Sequence, residues 1–328
     1  MKKNQLNSIG TYKGNVPFVI AGSGRGGTTW LMELVCSDPA FKPVFEPLHE
    51  LKVSGAEPWA YGYFPSTFSS LQAEIFFQSV FEGSLQTPWT RLKPWMNDIQ
   101  GPGDKLSLYK KLAVHKLQEM KKNLTAKRLA VKFIRANLML TWLHSRFNAR
   151  ILLVVRSPYD ICSSMIRTGW FEHHLQFGYR RYLYQQELVN DYLQPHIEWM
   201  RTVEDPLERV CIMWTIENMV PLTGEGQPPM TVIPYEYMIS FGPEEFRKVF
   251  NAVGLDIRFN DSMITKPSSR SFDGKRFEKR PQDELEERSR VLIPEIMNRF
   301  GFDFYNENGL PNDQSALYSK WNIGLFKP

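Results

Sequence analysis

Residues 17–35 read PFVIAGSGRGGTTWLMELV, and this stretch decides the fold. The apolar run at 16–21 has the composition of a buried strand. A glycine cluster follows (Gly22, Gly24, Gly26, Gly27), and then Thr28 and Thr29 open an apolar helical pattern. A strand, a glycine-rich turn and a helix N-terminus together make an anion cradle. Glycine lets backbone N–H groups converge on phosphate oxygens, and the first helical turn adds unpaired donors and the positive dipole end. The wording of the loop narrows the ligand. A G-x-x-x-x-G-K-[ST] loop carries a lysine that reaches the β- and γ-phosphates of a nucleoside triphosphate. Aligned on Gly22 and Gly27, this chain has Thr28 in that place. The spacing therefore points to a bound phosphorylated nucleotide and away from ATP or GTP hydrolysis.

Outward from this stretch, strand-like runs recur at 43–46, 129–134, 151–155 and 230–233. Between them lie helical patterns at 29–36, 71–81, 106–123, 138–147, 159–166, 209–222 and 244–253. Nearly all-apolar strands alternating with helices specify an α/β fold. The expectation is a P-loop-type parallel sheet of about five strands, with helices on both faces and right-handed crossovers. The chain, 1–328, reads as a single domain. Two segments break the rhythm: 52–105, rich in Pro, Gly, Ser and aromatics, and 167–208, polar and aromatic. Both read as insertions that form a lid or the acceptor side of a site. Residues 266–281 form a basic loop, and 306–328 look irregular.

Bulk composition sets bounds. With 328 residues, 42% hydrophobic and 23% charged, the chain is an ordinary globular protein with a sizeable core. A net charge of +5 is too mild to argue for nucleic acid, but it suits an anionic ligand. Cys36, Cys162 and Cys211 are few, odd in number and in no zinc spacing, so neither a metal nor a disulfide framework is expected. A reducing, cytoplasmic compartment is the simplest reading. The N-terminus has two lysines without a following apolar region, and no run approaches a membrane span, so neither signal peptide nor anchor is expected.

A second constellation lies in VVRSPYDICSSMIR. Arg156 falls at the carboxyl end of the fourth strand, where ligands of open α/β sheets bind. Ser157 suits a helix cap, Pro158 the first helical position and Asp160 the first turn. Ser164 follows eight positions after Arg156, about two turns along that helix. A guanidinium and a hydroxyl so placed suit a second phosphate, separate from the one in the glycine loop.

Together these two halves resemble the PAPS-dependent sulfotransferases, over roughly residues 17 to 240 and with unmatched insertions. The family's glycine loop, similar to P-K-S-G-T-T-W, stands here as Gly24-Arg25-Gly26-Gly27-Thr28-Thr29-Trp30. Its second motif, an arginine with a serine eight residues on, stands as Arg156 and Ser164. Pro234-Tyr235-Glu236-Tyr237-Met238 resembles its Y-E-D-[LM] segment. The resemblance implies a P-loop-type fold, 3′-phosphoadenosine 5′-phosphosulfate (PAPS) as sulfuryl donor, and no metal. It implies that Gly27, Thr28 and Thr29 cradle the 5′-phosphate, with Arg25 near the transferring group. Trp30 then stacks on adenine, Tyr235 lies near the base, and Arg156 with Ser164 holds the 3′-phosphate. Lys275, in Gly274-Lys275-Arg276, is the nearest match to a basic triplet that adds to the 3′-phosphate site. Two departures stand out: arginine replaces the loop lysine at Arg25, and Gly26 replaces a serine. Arginine at this place, with the F-E-P-L wording at 45–48, is closest to the carbohydrate and tyrosylprotein branches.

Sulfuryl transfer to a hydroxyl needs a base for the acceptor proton and cations for the charge on the leaving phosphate. Glu46, at the end of the second strand, is the chosen base; His49 and Glu50 are close alternatives. His144 reads as a packed histidine, while His173 and His174 lie in the second insertion. Trp59, Tyr61, Tyr63, Trp89, Trp95 and Trp170 offer an acceptor wall, although core packing suits any one of them. The expected acceptor is a carbohydrate or glycolipid hydroxyl; a small aromatic or aliphatic alcohol is the alternative. A kinase and a non-catalytic nucleotide-binding domain are the rivals. The absent lysine weighs against the first, and a base beside the loop weighs against the second.

Overall fold

Five strands form one parallel sheet: β1 (Phe18–Gly22), β2 (Phe41–Phe45), β3 (Arg128–Phe133), β4 (Arg150–Val155) and β5 (Met230–Pro234). Their order is β2-β3-β1-β4-β5. The computed structural model describes residues 12–85, 123–167, 175–223, 230–268 and 284–312, with a few isolated positions between them. Lys275, Trp89, Trp95, Trp170, His115, His173, His174 and most of the helix expected at 106–123 lie outside the described residues.

The central strand is apolar because both of its faces are covered. Phe18 and Ile20 enter a core with Trp30, Phe246 and Phe250, whereas Val19 and Ala21 enter another with Phe133, Trp142 and Trp214. β2 tolerates Pro43 because it is an edge strand, paired with β3 alone. The helices are α1 (Thr28–Val35), α2 (Leu71–Phe81), α3 (Leu140–Phe147), α4 (Pro158–Arg167), α5 (Pro206–Thr223), α6 (Pro243–Ala252) and α7 (Glu284–Arg299). α5 is buried on every side from Val210 to Leu222, a stretch that is largely apolar all round.

The structure differs from the sequence reading in three places. Residues 175–203 are not a polar excursion: Tyr179, Tyr182, Leu188, Leu193, Ile197 and Met200 join the main core. Two π turns, Leu175–Tyr179 and Val189–Leu193, break the 3.6-residue period that would have revealed these helical turns. α7 has no counterpart in the sequence reading, since Pro294 interrupts its pattern and its first half is charged. β2 starts at Phe41 and stops at Phe45, so Glu46 stands just beyond it. The three cysteines are free; Cys162 and Cys211 are buried with their sulfurs 3.5 Å apart. Among the described residues, no helix is long and apolar enough to cross a membrane.

Candidate active site

The glycine loop turns tightly from β1 into α1. The Gly26 N–H donates to the Ser23 carbonyl at 3.0 Å, and a Cβ on Gly26 would lie 2.8 Å from that oxygen. Gly27 caps α1 at φ 89°, in the left-handed region, and a Cβ there would enter the Tyr235 ring. Arg25 is also left-handed, at φ 66°, a conformation that costs a non-glycine residue energy and marks functional turns. Gly27→Ala is expected to lose about 1–2 kcal/mol from backbone strain alone. It should also displace Tyr235, which thermal melting and anion titration would register together. A variant as stable and as tight-binding as the parent would contradict this packing.

β4 delivers the second constellation to the same edge. Arg156 donates from Nη1 to the Arg25 carbonyl at 3.1 Å and pairs through Nη2 with Asp160 at 3.2 Å. Its guanidinium carbon lies 4.4 Å from the Tyr235 ring centre. Arg25 in turn donates from Nε to Ser164 Oγ at 3.0 Å. The two halves expected as separate phosphate sites therefore meet in one cluster. Burial, and then Arg156, push the Arg25 guanidinium down from its usual range. Burial also disfavours the Arg156 charge, but Tyr235, Asp160 and Glu236 outweigh it and raise that group. Arg25 thus spends its hydrogen bond on a neutral hydroxyl beside a like charge, an arrangement that an anion relieves.

Glu236 braces the turn from beneath. Its Oε1 accepts the Ser157 N–H at 2.8 Å, and its Oε2 accepts the Tyr305 hydroxyl at 2.7 Å. Tyr305 also reaches the Val155 carbonyl at 3.1 Å. Trp30 was expected to stack on adenine. It is 4% exposed and sits edge-on to Phe246 at 5.6 Å, so its ring is committed to the core. Tyr235, between Gly27 and Arg156, is the aromatic ring at this edge.

The candidate base lies in a buried ion cluster. Glu46, in left-handed backbone at φ 44°, takes Lys132 Nζ at 2.6 Å and Arg135 Nη1 at 3.4 Å. Arg135 Nε also binds Glu50 at 2.7 Å, and His49 Nδ1 stands 3.9 Å from the same carboxylate. Because β3 lies between β1 and β2, Lys132 rises directly beside Glu46, which pairs through its own N–H with the Lys132 carbonyl at 3.1 Å. Burial alone would raise the Glu46 carboxyl, but Lys132 and Arg135 hold it below the usual carboxylate range. Burial and Arg135 push the His49 imidazole down to about 4, so both candidates are unprotonated at neutral pH. A small cleft lined by Glu46, Leu48, Phe133, Ile134 and Arg135 opens at this point.

Beneath the loop lies a third group. Glu217 of α5 accepts the Tyr182 hydroxyl at 3.1 Å. Asn218 donates from Nδ2 to Ser23 Oγ at 3.2 Å. Burial pushes the Glu217 carboxyl up to about 7, against the pull of Ser23, Tyr182 and Arg135.

Lys132, Glu217 and Asn218 were absent from the sequence reading, yet each left a signal. A lysine inside the buried run LAVKF, and Glu-Asn inside the buried run from Val210 to Leu222, must be paired or functional. His144 bonds the Ala149 carbonyl at 3.0 Å and His196 packs on Phe300 at 4.4 Å. Tyr61 is buried in the core, and the Tyr63 hydroxyl donates to Asp191 at 2.6 Å.

No protein-family model matches the chain, and no curated protein matches it. Among solved structures, it is similar to the sulfotransferase domain from the Synechococcus PCC 7002 olefin synthase. That match covers 92% of this chain and 99% of the other, at 15% identity and a TM-score of 0.42. The sulfotransferase domain from the curacin biosynthetic pathway matches over 88% and 98%, at 12% identity and a TM-score of 0.34. Sulfotransferase STF9 from Mycobacterium avium matches over 94% and 75%, at 11% identity and a TM-score of 0.33.

Proposed function

We propose that the chain transfers a sulfuryl group from PAPS to a hydroxyl acceptor, with a carbohydrate or glycolipid as the first acceptor class to test. The observation that supports this most is the meeting of Arg25, Arg156 and Ser164 beside a glycine loop that lacks the triphosphatase lysine. The loop fits a 5′-phosphosulfate: Gly26 and Gly27 keep its backbone open where a side chain would collide, and the α1 N-terminus faces it with Thr28 and Thr29. Arg156 and Ser164 hold the 3′-phosphate, and Arg25 links the two.

PAPS supplies an activated sulfuryl group on a phosphate leaving group. The chain supplies the rest. Glu46, already ionised, takes the acceptor proton as the hydroxyl oxygen bonds to sulfur. Its lowered basicity suits a proton that becomes acidic only as that bond forms. Lys132 and Arg135 keep Glu46 charged and oriented, with His49 as the second candidate base. Arg25 and the first turn of α1 stabilise charge on the departing phosphate. The stretches 52–105 and 167–208 supply the acceptor side of this single domain.

Calorimetric titration tests the nucleotide half. Adenosine 3′,5′-bisphosphate is expected to bind without metal and more tightly than ADP or Mg²⁺–ATP. A preference for Mg²⁺–ATP with no gain from the 3′-phosphate would overturn the sulfuryl-donor reading in favour of a kinase.

A further inference from the structure

One helix supports both halves of the anion site from beneath. The supporting residues of α5 are Trp214 and Asn218, about one turn apart and so on the same face. Asn218 donates through Nδ2 to Ser23 Oγ at 3.2 Å and to the Trp214 carbonyl at 2.7 Å, which uses both hydrogens of the amide. The Trp214 indole N–H donates to the Arg156 carbonyl at 3.1 Å. Both residues are buried, Asn218 at 1% exposure and Trp214 at 2%. The first contact reaches the loop at the residue whose carbonyl accepts the Gly26 N–H and closes the turn. The second reaches the Arg156 backbone, between the Val155 carbonyl held by Tyr305 and the Ser157 N–H held by Glu236.

Asn218 is a poor choice for packing alone. The Trp214 carbonyl fixes the amide's orientation, because it needs a donor opposite it and not an oxygen. Oδ1 is then buried without a hydrogen-bond partner among the described residues. A leucine of similar branched outline would suit this largely apolar stretch and avoid the cost of an unpaired oxygen. What leucine cannot do is hold Ser23.

We propose that Asn218 and Trp214 are positioning residues that set the two halves of the site from α5. Asn218 fixes the glycine loop through Ser23 and keeps its N–H groups converged on the 5′-side anion. Trp214 fixes the backbone of Arg156 and keeps the guanidinium in place for the 3′-phosphate. Because both act from one turn of helix, α5 sets the spacing between the two anion subsites. The Arg156 bond to the Arg25 carbonyl then joins two pieces already held at a fixed separation.

The inference rests on the two-anion reading of this edge, and the probes separate the two. Adenosine 3′,5′-bisphosphate and ADP are titrated calorimetrically against the parent and the single variants Asn218→Leu, Trp214→Phe, Ser23→Ala and Arg156→Ala. Asn218→Leu combined with Ser23→Ala, and Trp214→Phe combined with Arg156→Ala, complete two double-mutant cycles, and each protein is also melted. Asn218→Leu is expected to weaken both ligands by about three- to tenfold, the worth of one neutral hydrogen bond, without a lower melting temperature. That loss should vanish in the Ser23→Ala background. Trp214→Phe should weaken the bisphosphate by a similar factor and ADP by less than about twofold, whatever its melting temperature. Its effect should vanish once Arg156 is alanine. Losses that persist unchanged in those backgrounds overturn the proposal. Unaltered affinity in Asn218→Leu overturns the support of the loop, and a Trp214→Phe loss equal for both ligands overturns the support of Arg156. A parent that binds ADP as tightly as the bisphosphate removes the sulfuryl-donor reading and the role of Trp214 with it. The cycle of Asn218 with Ser23, read with ADP, then still decides the support of the loop. A parent that binds neither ligand overturns both.

Discussion

Arg156→Ala is expected to weaken binding of adenosine 3′,5′-bisphosphate by roughly 150-fold, about 3 kcal/mol, the upper range for a hydrogen bond to a charged partner. Two effects add. The 3′-phosphate loses its guanidinium, and the Arg25 carbonyl loses the donor that helps hold the strained loop at φ 66°. The loss should be specific to the 3′-phosphate, so ADP affinity should fall far less. Folding should suffer little, because the Asp160 partner is largely exposed and such pairs contribute up to about 1 kcal/mol. A bisphosphate affinity within threefold of the parent would remove Arg156 from the site.

Glu46→Gln carries the second large effect. The variant should lose about 100- to 10,000-fold in turnover, the range for a positioned general base, while bisphosphate binding stays within about twofold. It should also be less stable. Removing one member of a buried ion cluster leaves Lys132 and Arg135 undercompensated, at a cost of about 3–5 kcal/mol. The pH dependence gives an independent check. The Glu46 carboxyl is lowered on folding, so its stabilisation is present above the unfolded value near 4.5 and lost as pH falls through the lower folded value. The melting gap between parent and variant should therefore narrow in acid. Undiminished turnover in Glu46→Gln, with loss in His49→Ala, would transfer the base to the imidazole.

The sheet was legible because its strands are buried on both faces and so read as uninterrupted apolar runs; 151–155 and 230–233 needed only a residue at one end. The loop was legible because close backbone approach demands glycine at 26 and 27, whatever the surrounding fold. What escaped was set by strand order and by helix neighbours. Lys132 meets Glu46 only because β3 lies inside β2, and Asn218 meets Ser23 only because α5 passes under the loop, 195 positions later in the chain. The packing of Trp30 was illegible for a related reason. Its aromatic identity fits a stacking role, but the face of α1 on which it lies is the one that packs on Phe246.

The Tyr305 brace has a consequence for synthesis. The turn that carries Arg156 is pinned by a hydroxyl 150 residues downstream of Val155. At about 5–20 residues per second, a ribosome takes roughly eight to thirty seconds to cover that interval. A nascent chain that has already made the glycine loop, β4 and Arg156 still lacks the pin that sets the guanidinium. The guanidinium is set only once Tyr305 has been made, after the sheet is complete, so a chain interrupted before that residue would carry Arg156 without its brace.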